Sequence, residues 1–105
     1  MSVLVSAIIP THNRADLLRH AIQSALDQQV PNGEVEVIVA DNNSTDTTAE
    51  VVRSYPSLTY VQQPIGREGA ARNAGAARAH GTYLAFVDDD DFWLPGKLAA
   101  DVARF

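Results

Sequence analysis

A run of four carboxylates, from Asp88 to Asp91, is the part of this sequence that most directly suggests chemistry. Adjacent negative charges repel one another, so a positive group is needed beside them. Carboxylate oxygens favour hard ions, and Mg²⁺ or Mn²⁺ commonly binds one or two carboxylates together with substrate phosphates. In an extended segment, Asp88 and Asp90 would point to one side and Asp89 and Asp91 to the other. A solvated acidic start to the last helix is the alternative interpretation.

Two more polar clusters follow apolar segments. Residues 10–14 read Pro-Thr-His-Asn-Arg, and residues 41–46 read Asp-Asn-Asn-Ser-Thr-Asp. Ligands of open parallel sheets bind beyond the carboxyl ends of the strands, so clusters at three strand ends predict one shared site. Asp41 is typical of an acid that hydrogen-bonds a ribose or a base, but the same residue types also form Asx turns and helix caps.

Arg67, Arg72 and Arg78 lie in or near the third predicted helix and could neutralise a bound diphosphate. Each also has a structural interpretation, and Arg72 follows Glu68 at the four-residue spacing of a surface ion pair. The histidines lack metal-ligand spacing. His12 alone lies among the strand-end clusters, and no role is predicted for it.

The elements that must position these clusters alternate along the chain. Apolar runs predict strands at residues 3–9, 35–40, 58–61 and 82–87, and helical patterns occupy residues 14–29, 44–55, 67–80 and those from 95 onward. Asn13 is the expected N-cap of the first helix, and Ser44 or Thr45 that of the second. Pro10 should close the first strand. The order predicts an α/β fold with a Rossmann-like parallel sheet, helices on both faces and strand order 3-2-1-4.

Composition excludes several classes of function. The 105 residues allow one domain, and the absence of cysteine excludes disulfides, a thiolate nucleophile and cysteine-ligated metals. A net charge of −5 argues against nucleic-acid binding. With no apolar run of about 20 residues and no basic leader, we expect a cytoplasmic protein without membrane insertion.

Four segments together resemble family 2 glycosyltransferases with the GT-A fold. They are VSAIIPTHNR at 5–14, VIVADNNSTD at 37–46, GAARNAG at 69–75 and FVDDDDFWLPGKL at 86–98. The resemblance covers nearly the whole chain but only the nucleotide-sugar-binding half of that catalytic domain. It implies that residues 1–105 form the donor-binding part of a GT-A domain, without the acceptor-binding half.

The resemblance also implies roles for individual residues. Asp41 would hydrogen-bond the nucleobase, usually uracil, and Arg72 would approach the base or the diphosphate. Asp88–Asp90 matches the D-x-D motif, in which Asp88 or Asp89 contacts the ribose and Asp90 holds Mn²⁺ or Mg²⁺ on the diphosphate. Asn42 departs from the second Asp of many members. The nucleoside pocket would be lined by Pro10, Thr11, Asn13 and Arg14.

The implied activity is transfer of a sugar, with inversion, from a nucleotide diphosphate donor, typically a UDP-sugar, to an acceptor hydroxyl. The family's acceptor-activating base lies beyond the D-x-D half, so no catalytic base is expected here. A non-catalytic nucleotide-binding module is the alternative. A phosphatase with an aspartyl nucleophile would need D-x-D-x-[TV] where Thr11-His12-Asn13 stands, and no G-x-G-x-x-G follows strand one as in dinucleotide-dependent oxidoreductases.

The last helix carries an apolar stripe. If this stripe is exposed, the chain should associate with itself or with another subunit through the C-terminal helix. If the helix instead folds back on its own sheet, the chain should be a monomer. The stripe comprises Trp93, Leu94, Leu98, Val102 and Phe105.

Overall fold

A computed structural model describes residues 2–64 and 69–104. Four parallel strands form a single sheet in the order β3-β2-β1-β4, which confirms the predicted topology. The predicted start of the third helix at Arg67 lies outside the described residues. The elements are β1 (Val3–Thr11), α1 (Ala15–Leu26), β2 (Glu34–Asn42), α2 (Thr48–Arg53), β3 (Thr59–Gln63), α3 (Ala70–Ala77), β4 (Tyr83–Phe86) and α4 (Lys97–Val102).

Apolar side chains cover both faces of the two central strands, because residues along a strand alternate between faces. Ile9 and Val39 belong to the core cluster that contains Leu18 and Ile22 of α1. On the opposite face, Ile8 and its neighbours pack with α3. Helices therefore lie on both faces, as predicted.

Close packing of α3 on the sheet depends on a small residue. A Cβ added at Gly75 would stand 2.7 Å from Cγ2 of Ile8 and 3.3 Å from Cβ of Ala40. The helix can approach β1 and β2 this closely because glycine has no side chain there, and this outweighs the low helix propensity of glycine.

Pro10 does not close β1, contrary to the prediction. The strand continues to Thr11 and pairs with β2 throughout, with Pro10 opposite Ala40. On the other side of β1, the backbone N–H of Val87 donates to the carbonyl of Ile8 at 3.1 Å. The next donor toward β4 would be the N–H of residue 10, which proline lacks. Pro10 therefore ends pairing on the β4 side alone.

One carboxylate supports the start of two helices. Asp46 accepts hydrogen bonds from the backbone N–H of Ala15 at 3.2 Å and of Thr48 at 3.0 Å. The predicted caps are wrong: Arg14 and Thr47 occupy the N-cap positions, and neither makes a side-chain cap hydrogen bond. The side-chain hydrogen bond from Thr48 is the main cause that lowers the pKa of Asp46, and the two backbone hydrogen bonds add to it.

The C-terminal segment is hydrogen-bonded to α1 and to Gln28 just after it, and the predicted apolar stripe is exposed only in part. Leu98 is fully buried and Trp93 packs against the main core. Gln28 accepts from the N–H of Leu98 and donates to the carbonyl of Leu94. Leu94 does remain 69% exposed. Phe105 lies outside the described residues. Among residues 2–64 and 69–104, no helix has the length and apolar character needed to span a bilayer.

Candidate functional site

The acidic segment leaves the sheet immediately after β4, beside the end of β1. Asp89 is 8% exposed and accepts hydrogen bonds from Oγ1 of Thr11 at 2.9 Å and from the N–H of His12 at 3.3 Å. Asp88 and Asp90 instead keep half or more of their side-chain surface in solvent. This alternation agrees with the sequence pattern and separates one anchoring carboxylate from two accessible ones.

Two arginines neutralise the accessible carboxylates. Nη1 of Arg14 lies 2.8 Å from Oδ2 of Asp90 and 3.7 Å from Oδ1 of Asp89. Nη2 of Arg72 lies 3.2 Å from Oδ1 of Asp88. Guanidinium groups that contact carboxylates here could also bind the oxygens of a diphosphate.

A cleft of about 360 Å³ joins these groups at the carboxyl edge of the sheet. The first residues of α3 border it, and the amino end of a helix favours phosphate groups. Arg78 lies beyond the opposite end of α3 and is not at the cleft. Arg67 and the ion pair predicted between Glu68 and Arg72 involve residues outside the described ranges. The lining residues are Pro10, Thr11, His12, Arg14, Asn42, Gly69, Ala71, Arg72, Asp88, Asp89 and Asp90.

Asp41 lines a neighbouring cavity rather than this cleft. It is 2% exposed, its Oδ1 accepts from the N–H of Ser44 at 3.0 Å, and its Oδ2 accepts from the hydroxyl of Tyr60 at 2.5 Å. Burial, reinforced by the hydrogen bond to Asp41, raises the pKa of Tyr60 to about 12. The carboxylate is thereby held in one orientation at the end of β2.

Three residues of β3 were not predicted from the sequence. Gln62 and Gln63 line the same cavity as Asp41, and Tyr60 is hydrogen-bonded to Asp41. In the parallel pairing of β2 with β3, Gln62 stands opposite Asp41. Tyr60 lies two residues earlier on β3, so its side chain projects from the same face as that of Gln62. The register of these two strands is the signal that would have identified these residues.

Asn13 joins the loops after β1 and β2 and is not among the residues that line either opening. It adopts a left-handed backbone conformation with φ of 51°. Its N–H donates to Oγ of Ser44 at 2.9 Å, and its Oδ1 accepts from the N–H of Thr45 at 2.7 Å. These bonds hold the two loops together beside the site.

The available donors suit a metal that shares its coordination with substrate. Within the described part of the chain, no group of three or more His, Cys, Asp or Glu is arranged to hold a metal. Asp88 and Asp90 nevertheless present accessible carboxylate oxygens at the cleft. Mg²⁺ and Mn²⁺ accept such sites, with one or two carboxylates and the remaining positions filled by phosphates and water.

Residues 6–105 match the family model described as Glycosyl transferase family 2. A relative from Bacillus subtilis (strain 168), a putative teichuronic acid biosynthesis glycosyltransferase named TuaG, is 37% identical over 101 residues. That alignment covers 90% of this chain and 39% of TuaG. The chain therefore spans well under half the length of this curated relative.

Two solved structures share the fold at 32% identity. Staphylococcus aureus TarS 1–349, in complex with UDP-GlcNAc, matches with a TM-score of 0.86 over 96% of this chain and 30% of its own. The mannosyltransferase PcManGT from Pyrobaculum calidifontis, in complex with GDP-Man and Mn²⁺, matches with a TM-score of 0.83 over 97% of this chain and 32% of its own. These matches confirm the predicted α/β fold of the GT-A type.

Proposed function

The chain belongs to glycosyl transferase family 2, and from this premise we propose that it supplies the donor site for sugar transfer to an acceptor hydroxyl. The donor is a nucleotide diphosphate sugar, in the first place a UDP-sugar, and residues 1–105 form its binding part. Two similar structures that hold UDP-GlcNAc and GDP-Man support this choice of ligand class. The proposed transfer proceeds with inversion.

One observation carries the proposal. A single cleft at the carboxyl edge brings two guanidinium groups together with two accessible carboxylates. A diphosphate needs positive charge, and a divalent cation bound to it needs carboxylate oxygens. The cleft offers both within one small volume, as a metal-bound nucleoside diphosphate requires.

The contacts suggest how the roles divide. We assign the base to Asp41 in the adjoining cavity and the ribose to Asp88, because Asp89 is buried and already held by Thr11 and His12. Asp90 would hold Mn²⁺ or Mg²⁺, which when bound supplies positive charge to the departing nucleoside diphosphate. Arg14 and Arg72 would contact the phosphates, and no residue of this chain is assigned to deprotonation of the acceptor.

Calorimetric titration with UDP, in Mn²⁺ and in chelator, tests the donor site. We expect tighter binding in Mn²⁺. Asp41→Ala should weaken binding by a similar factor with and without the metal, since its partner is the base. Asp27→Ala, which removes the same charge near the far end of α1, is the matched control. Equal UDP affinity in Mn²⁺ and in chelator, or an Asp41→Ala variant with unchanged UDP affinity, contradicts the proposal.

A non-catalytic nucleotide-binding module would give the same titrations. Sugar transfer from a UDP-sugar to hydroxyl acceptors, measured with a full-length protein that contains this chain, separates the two. Transfer that Asp90→Ala abolishes supports the enzyme, and metal-dependent UDP binding without transfer to any acceptor supports the module.

A further inference from the structure

The side chain and the backbone of Arg14 are held very differently. Its carbonyl accepts hydrogen bonds from the N–H groups of Leu17 and Leu18, each at 3.0 Å, which fixes the backbone at the start of α1. Its guanidinium side chain is 49% exposed and reaches Asp90, which is 50% exposed. The head group can therefore change partner without disturbing the helix.

Asp90 is the carboxylate that Arg14 can release without loss of local structure. Asp89 is anchored by Thr11 and the backbone of His12, which keeps the acidic segment attached to β1. The contact from Arg14 to Asp89 is the longer one, at 3.7 Å against 2.8 Å to Asp90. Movement of the guanidinium would thus free Asp90 while Asp89 stays in place.

Resting on the proposed function, we propose that Arg14 and the divalent cation compete for Asp90 and that Arg14 exchanges this carboxylate for the diphosphate. A guanidinium and a divalent cation on one carboxylate repel each other. The phosphate oxygens that arrive with the cation offer the guanidinium an equivalent charged partner. Arg14 is thereby a positioning residue that couples metal binding to nucleotide binding.

Competition of this kind has a thermodynamic signature. A cation that binds without UDP must displace Arg14 from Asp90, and the guanidinium then gains no new charged partner. In the presence of UDP, the displaced guanidinium gains a phosphate contact. UDP should therefore raise the affinity for the cation, and the cation should raise the affinity for UDP by the same factor. Removal of Arg14 should reduce that factor.

The test measures Mn²⁺ binding, by the electron paramagnetic resonance signal of free Mn²⁺, with and without saturating UDP. An exposed ion pair of this kind corresponds to up to about a fivefold change in affinity. We expect Arg14→Gln to bind Mn²⁺ alone about two- to fivefold more tightly than wild type and to lose part of the enhancement by UDP. Arg78→Gln, with the same charge change beyond the far end of α3, should match wild type.

A second background separates direct competition from a general charge effect. In Asp90→Asn, where Mn²⁺ binding should be weak because the proposed ligand is gone, the further change Arg14→Gln should produce no tightening. Equal or weaker Mn²⁺ binding by Arg14→Gln, or an equal tightening in the Asp90→Asn background, overturns the inference and leaves the donor site intact. UDP binding by wild type that does not respond to Mn²⁺ overturns the proposed function and this inference with it.

Discussion

At the amino end of the sheet Glu36 is enclosed by its neighbours, whereas at the carboxyl end Asp88 and Asp90 face solvent. Oε2 of Glu36 accepts from the hydroxyl of Ser6 and the N–H of His80, both at 2.5 Å, and Oε1 lies 3.1 Å from Nδ1 of the same histidine. Ser6 is itself fully buried and also accepts from the N–H of Gly81.

The difference between these edges lies in how many bonds each carboxylate makes and how exposed the carboxylate itself is: the side chain of Glu36 is 16% exposed, and those of Asp90 and Asp88 are 50% and 61% exposed. Burial raises the pKa of Glu36, but the hydrogen bonds from Ser6 and His80 outweigh it, so the net pKa is lowered. Asp88 and Asp90 are each bonded to a half-exposed arginine side chain. A carboxylate with both oxygens engaged ties elements together, and one with a single exposed partner can exchange it for a ligand.

Removal of the proposed metal ligand should have the largest effect on UDP binding. Asp90→Ala should lower UDP affinity in Mn²⁺ by about tenfold or more and abolish the difference between Mn²⁺ and chelator, since the proposed metal ligand is lost. Its melting temperature should change little, because the carboxylate is half exposed. Titration calorimetry and thermal denaturation measure both, and a variant that retains the full metal enhancement refutes the assignment.

The opposite result is expected for Glu36 at the amino edge of the sheet, where a substitution should reduce stability rather than UDP binding. An amide in Glu36→Gln keeps one acceptor oxygen and turns an NH₂ group toward a donor or the histidine ring, so we expect the free energy of unfolding to fall by about 1–2 kcal/mol. UDP affinity should stay unchanged. Urea denaturation compares it with Glu34→Gln, an exposed position on the same strand. Equal stability of the two variants would remove the contrast between the edges.

Asp41 sharpens the comparison, because it is enclosed like Glu36 yet belongs to the carboxyl edge. Tyr60→Phe removes one of its donors and should cost about 1 kcal/mol of stability. If Asp41 contacts the base, UDP affinity should fall by a few-fold equally in Mn²⁺ and chelator, relative to Tyr55→Phe. If Tyr60→Phe reduces stability but leaves UDP affinity unchanged, Asp41 has a structural role like that of Glu36 and does not contact the base.

The smallest expected effect is on the stability of the protein at acidic pH. Because the pKa of Glu36 lies below its ordinary value of 4.5, its ionised form contributes stability above that value, and this contribution is lost as the pH falls through the folded-state pKa. Thermal denaturation below about pH 4.5 should therefore show a steeper loss for wild type than for Glu36→Gln. Asp46 titrates in both proteins and does not affect the comparison. Parallel curves would contradict the expectation.

The shared edge could be predicted because it depends on local patterns, and the sheet order follows if the three strands that end in polar clusters are neighbours. Apolar runs mark the strands, and each of three runs is followed by polar residues. Contacts between distant positions could not be predicted in the same way. Arg14 meets Asp90 across 76 positions, and Asp46 caps a helix that begins 31 residues earlier. The hydrogen bond from the N–H of Leu98 to Gln28 likewise joins distant positions, and no periodicity in the last helix reveals it.

Pro10 lacks an N–H group at the point where β1 and β4 separate, beside the candidate site. With a donor at this position, the pairing of β1 and β4 could extend past Val87, and Asp88 and Asp89 would become ordinary strand residues on opposite faces of the sheet. Proline prevents that extension while leaving the β2 side of β1 intact. The point at which β1 and β4 separate is thus determined by the covalent structure of residue 10, and the acidic segment begins there.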